Sequence, residues 1–98
     1  RTFTAEEAQE LGIVNHVVPK EEVLDAAVAY ASDLAQNCSP TSMAVMKQQL
    51  YGHALLDVDS ALAESNKLMR ESLTRNDFKE GVKSYVEKRP PAFDPLGR

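Results

Sequence analysis

The stretch FKEGVKSYVEKRPPAF, residues 78–93, carries a helical pattern to a hard stop. Phe78, Val82, Tyr85 and Val86 recur at the spacing of one helix face, which predicts that they turn inward. Asn76 or Asp77 is placed to start this helix. Lys88 and Arg89 are expected in its last turn, where positive charge suits the negative end of the helix dipole. Pro90 and Pro91 cannot continue a helix and are expected to end it.

The same reading extends upstream. Asp57 or Asp59 can cap a helix running to about Leu73, with a stripe of Val58, Ala61, Leu62, Leu68 and Met69 that Ser65 interrupts. Ser39 is a good N-cap before Pro40, a residue favoured at the first helical position. Met43, Met46, Leu50 and Ala54 form the apolar face that follows, and Gly52 weakens its far end by up to about 1 kcal/mol relative to alanine. From Lys20 to Gln36, a stripe of Leu24, Ala27, Val28, Ala31, Leu34 and Ala35 marks the clearest helix. Glu21, Glu22 and Asp25 lie near its positive end. Thr4 and Glu7 form a capping box for a short helix from Ala5 to Leu11, and Gly12 is placed to end it in the left-handed conformation. Ile13 to Val18 is β-branched and reads as an extended segment or small strand, stopped at Pro19. The expected fold is all-α: about five helices and one short extended segment.

The chain of 98 residues has the size of one domain and could bury roughly 60–65% of its unfolded surface. Its net charge of −4 argues against a nucleic-acid partner. Cys38 is the one cysteine, so no intrachain disulfide or Cys-based zinc site is available, as in a reducing compartment. No apolar run approaches the roughly 20 residues that span a bilayer. A soluble, cytoplasmic protein with no membrane partner is expected. The chain begins at Arg1, already close to a helix start, as a piece of a longer protein would.

Candidate chemistry is sparse. The four glycines are isolated and form no phosphate loop. His16 and His53 have no metal-ligand spacing and are expected at a strand edge and on a helix surface. Cys38, beside a helix start, could be a nucleophile, but a lone cysteine is more often a small packed hydrophobe. Glu6, Glu7, Glu21, Glu22 and Asp25 are explained by caps and dipoles. No metal ligand and no catalytic residue is assigned. The last helix differs. Tyr85 and Lys88, three residues apart, can share a helix face. An aromatic plane beside a cation can hold a flat heterocycle or a phosphate linked to one. The plain reading is that Tyr85 packs inward and Lys88 neutralises the helix end.

Three stretches in order resemble the C-terminal portion of the crotonase (enoyl-CoA hydratase/isomerase) superfamily. They are RTFTAEEAQELGIVNHVVP, residues 1–19, SPTSMAVMKQQL, residues 39–50, and DFKEGVKSYVEKRPPAF, residues 77–93. The resemblance covers nearly all of the chain. It implies that residues 1–98 are one helical segment, the C-terminal part of a crotonase-like fold. The catalytic core, with its oxyanion hole and glutamates, would lie upstream of Arg1. It implies a parent enzyme of fatty acid metabolism, hydratase (a lyase) or isomerase, acting on acyl-CoA without an intrinsic cofactor. Hydration of a 2-enoyl-CoA is the leading reaction, and the isolated segment would be inactive. It also implies self-association, as a trimer or dimer of trimers. In that family an aromatic residue and a lysine of the last helix contact the nucleotide end of CoA. The matching residues are Tyr85 and Lys88. A free-standing helical interaction module without ligand is the rival reading.

Overall fold

A computed structural model describes residues 1–97. Among them are five α-helices: α1 (Ala5–Glu10), α2 (Val23–Asn37), α3 (Pro40–His53), α4 (Val58–Ser72) and α5 (Asn76–Val86). A single 3-10 turn, Lys20–Glu22, leads into α2. The described residues contain no strand, and the chain between Gly12 and Lys20 bends at Ile13 and Asn15. Two compact units divide between Ala31 and Ser32, inside α2.

In the first unit, α1 is closed at both ends by local hydrogen bonds. The Glu7 N–H donates to Thr4 Oγ1 at 3.1 Å, and the Thr4 N–H donates to Glu7 Oε2 at 2.9 Å. This reciprocal pair satisfies donors that a helix start otherwise leaves to water. At the other end Gly12 adopts φ +72°. Its N–H donates to the Gln9 carbonyl at 3.0 Å, and the Ile13 N–H donates to the Ala8 carbonyl at 2.8 Å. That pair of bonds is a Schellman motif, which reverses the chain through a left-handed residue. Glycine takes that conformation without a Cβ clash.

In the second unit, Ser39 caps α3 by accepting from the Ser42 N–H at 3.1 Å. Its hydroxyl donates to the Asp77 carboxylate, which ties the start of α3 to the start of α5. Helix α5 begins at Asn76, one of the two expected start positions, with Asp77 inside its first turn. The N-cap position of α5 falls to Arg75, whose side chain makes no capping bond. Asp57 caps α4, accepting from the Ser60 N–H at 2.9 Å and the Ser60 hydroxyl at 2.7 Å. The backbone donor first, then the hydroxyl, holds the Asp57 carboxyl below the usual carboxylate range. Between α3 and α4, Gln49 Nε2 donates to Ser65 Oγ at 3.2 Å, and His53 Nε2 lies 3.0 Å from Glu64 Oε2. Ser65, the flaw in the apolar stripe of α4, is thus a contact towards α3.

The apolar stripes are open, including that of α5, the one expected to turn inward. Leu24 is 73% exposed, Leu50 77% and Val58 81%. Of the described residues only Ala8 and Ser84 are buried. The accessible surface is 8347 Å². A compact monomer of this mass would show about 5,500 Å², so less than the anticipated share is buried, roughly half of the unfolded surface. Helix α5 shows the physical reason. Its Glu80–Gly81–Ser84 face receives the chain returning after Pro90: a Cβ at Gly81 would sit 3.9 Å from the Phe93 ring. Phe78, which lines a cavity with Phe93, and Val82, Tyr85 and Val86 remain 46%, 50%, 86% and 72% exposed. Between α3 and α4, and between α3 and α5, the hydrogen bonds run through polar side chains.

Candidate functional site

The end of α5 is built by a second Schellman motif. The Lys88 N–H donates to the Tyr85 carbonyl at 3.2 Å, and the Arg89 N–H donates to the Ser84 carbonyl at 3.1 Å. The residue in the left-handed position is Lys88, at φ +53°. A side chain with a Cβ pays about 1 kcal/mol or more there. Lys88 and Arg89 therefore lie just beyond the helix rather than in its last turn. The helix stops at Val86, with Glu87 as its cap, before either proline is reached. Expectation and structure differ because a left-handed residue reverses the chain one step after the cap, whereas proline acts only at its own position.

Arg89 does more than balance the dipole. Its Nη1 and Nη2 donate to Glu80 Oε1 and Oε2 at 2.6 and 3.1 Å. Its Nε donates to Glu87 Oε2 at 2.6 Å, and Nη1 also reaches the Pro90 carbonyl at 3.1 Å. The Ala92 N–H adds a bond to Glu80 Oε1 at 2.9 Å. A two-pronged guanidinium–carboxylate contact is the geometry in which such a pair is both strong and directional. The Arg89 bonds first, then the Ala92 N–H, hold the Glu80 carboxyl down at about 2, and the two carboxylates push the Arg89 guanidinium up. Glu80 is only 21% exposed at its side chain.

This cluster decides which charge is available. Glu87 also lies 4.0 Å from Lys83 Nζ, so Lys83, Glu80, Glu87 and Arg89 neutralise one another. Among the ion pairs of the described residues none involves Lys88. Lys88 is exposed, and Tyr85 is 86% exposed. The two residues singled out in the sequence thus stand together at one open helix end, linked through the Lys88 N–H and the Tyr85 carbonyl. A ring face and an unpaired ammonium can engage an aromatic group and an anion respectively.

The other candidates are separate. His16 lines an open groove with Asn15, Val18, Val23, Ala26, Ala27 and Tyr30. His53 is half-buried against Glu64 rather than free on a helix surface. Cys38 is half-buried between α2 and α3. No group of three His, Cys, Asp or Glu side chains among the described residues could hold a metal. No helix is long and apolar enough to cross a membrane, among the same residues. The Glu80–Arg89 pair escaped the sequence reading. The only signal is a glutamate nine residues before an arginine that opens a proline pair, and it becomes legible once the chain is known to fold back.

The sequence model of the enoyl-CoA hydratase/isomerase family matches residues 1–95. The chain is 38% identical over 96 residues to a mevalonyl-coenzyme A hydratase of Beauveria bassiana, covering 95% of this chain and 34% of that protein. It is 31% identical over 89 residues to a short-chain-enoyl-CoA hydratase of Clostridium acetobutylicum, covering 91% and 34%. Among solved structures, an enoyl-CoA hydratase from Mycobacterium marinum superposes with a TM-score of 0.81 at 34% identity, covering 93% of this chain and 36% of the other. The all-helical arrangement is thus that of a helical segment of a crotonase fold. The chain belongs to the enoyl-CoA hydratase/isomerase family. It spans about a third of the length of the relatives it matches.

Proposed function

We propose that residues 1–98 act as the C-terminal segment of an enzyme that works on acyl-CoA thioesters, with hydration of a 2-enoyl-CoA as its reaction. The observation that carries this reading is the end of α5. In a chain of this family, Tyr85 and Lys88 are exposed side by side, and the neighbouring charges cancel. In this reading the Tyr85 ring offers a plane to the adenine of CoA, and the Lys88 ammonium faces a phosphate. None of the glutamates of this chain is given a catalytic role. The groups that stabilise the thioester enolate and deliver water belong to the part of such an enzyme that residues 1–98 do not include.

The open apolar faces of α2, α4 and α5 support a second duty, contact with the body of the enzyme and with neighbouring subunits. Exposed apolar helix faces are the kind of surface that a partner covers. A trimer or dimer of trimers is the assembly proposed. The purified chain should therefore self-associate in light scattering; a well-folded monomer at high concentration would contradict this. It should also hydrate no 2-enoyl-CoA above blank, since in this reading none of its own glutamates is catalytic.

Lys88→Ala in the full-length enzyme tests the ligand reading. Loss of a hydrogen bond to a charged group is worth about 1.5–3 kcal/mol, so the dissociation constant for a CoA thioester should rise roughly tenfold or more. An unchanged constant would return Lys88 to the role of a charge at a helix end.

A further inference from the structure

We propose that Glu80 and Arg89 are positioning residues for Lys88: their paired hydrogen bonds hold residue 88 in its left-handed conformation and present its ammonium to the anionic end of the ligand. The proposal rests on the reading of Lys88 as a CoA contact and adds the device that places it.

Residue 88 occupies a conformation that disfavours lysine, and its own side chain has no protein partner among the ion pairs of the described residues that would offset the cost. Backbone outliers of this kind persist when the surroundings over-determine them. Here the surroundings are one carboxylate. Glu80 sits in α5 and bonds forward to the Arg89 guanidinium through both oxygens and to the Ala92 N–H through one. The residue after Lys88, and the chain four residues beyond it, are thereby tied back to the helix they have just left. The Arg89 N–H completes the reversal at the Ser84 carbonyl. Residue 88 is the link between the helix and this tethered return.

The same contacts determine which cation faces outward. Nε, Nη1 and Nη2 of Arg89 are all engaged by Glu80, Glu87 or the Pro90 carbonyl. Arg89 is thus occupied, and the exposed charge at this helix end is that of Lys88. Were Arg89 the ligand contact, its guanidinium would have to leave two carboxylates first.

The test is a set of variants of the full-length enzyme: Glu80→Gln, Lys88→Ala and the two combined. Titration with a CoA thioester and steady-state kinetics are the readouts. Glu80→Gln removes a negative charge near the ligand, so simple electrostatics predicts tighter binding of an anion. Positioning predicts the opposite: a dissociation constant and KM several-fold higher, with kcat retained. It further predicts that Glu80→Gln has no additional effect once Lys88 is alanine. Arg89→Lys, which keeps the charge but loses the fork, should repeat the effect and serves if Glu80→Gln does not fold. Tighter or unchanged binding in Glu80→Gln or Arg89→Lys, with Lys88→Ala still weakened, would overturn the positioning role and leave Lys88 as a contact. Equal weakening by Glu80→Gln with and without Lys88 would also overturn it, by showing general loosening. No effect of Lys88→Ala would instead remove the reading on which the proposal rests.

Discussion

The ends of α1 and α5 are the same backbone device made from different residues. Each helix closes through a pair of bonds that reverses the chain, from Gly12 and Ile13 in one case and from Lys88 and Arg89 in the other. At Gly12 nothing lies within 4 Å of where a Cβ would be, and the left-handed φ is met by the one residue that adopts it freely. At Lys88 a strained residue is kept, and the chain beyond it is tied down by Glu80 and Arg89. A turn needed only as a turn uses glycine. A turn that retains a side chain at a cost, and surrounds it with neutralised charge, is better understood through what that side chain does.

Exchanging the left-handed residues of the two turns should have the largest effect. Gly12→Lys puts the strain of the second turn into the first without its ion pair, and should lower unfolding stability by about 1–2 kcal/mol. Urea unfolding checks this; an unchanged midpoint would mean that the first turn tolerates a Cβ. Lys88→Gly should go the other way, raising stability by about 0.5 kcal/mol. Relief of the left-handed strain exceeds the extra freedom that glycine gives the unfolded chain, but only modestly. The smallest effect concerns acid. Glu80 is held at about 2 in the fold, below its ordinary 4.5. A depressed carboxyl contributes stability that is complete above its unfolded pKa and is lost as pH falls through the folded one. Stability should therefore decline from about pH 5 towards pH 2. Glu80→Gln should flatten that decline in a pH-dependent urea series; an identical slope would show that other carboxylates carry it.

Much of the secondary structure was legible because its signals are local. The capping box at Thr4 and Glu7, the Ser39 and Asp57 caps and the Gly12 stop act within a few residues of themselves, and each is found where the pattern placed it. Asn76 begins α5, where the pattern places a helix start. The Asp77 carboxylate accepts from Ser39, 38 residues away, a contact which no local pattern contains. The apolar stripe of α5 is present as a stripe but does not turn inward. Periodicity reports which face of a helix is apolar, not whether the chain supplies a partner for it. Tyr85 and Lys88 could be picked out as neighbours on a helix. That Lys88 lies past the helix end, and that Arg89 is claimed by Glu80, depends on the chain folding back after Pro90.

In the proposed function, the Lys88 side chain is retained for a ligand and not for the fold. Lys88→Gly in the full-length enzyme tests it most directly, since it keeps the turn and removes only the side chain. Isothermal titration with a CoA thioester should show a dissociation constant raised roughly tenfold, the loss of a hydrogen bond to a charged group, in a protein at least as stable as the parent. Undiminished affinity in the Lys88→Gly protein would contradict the account.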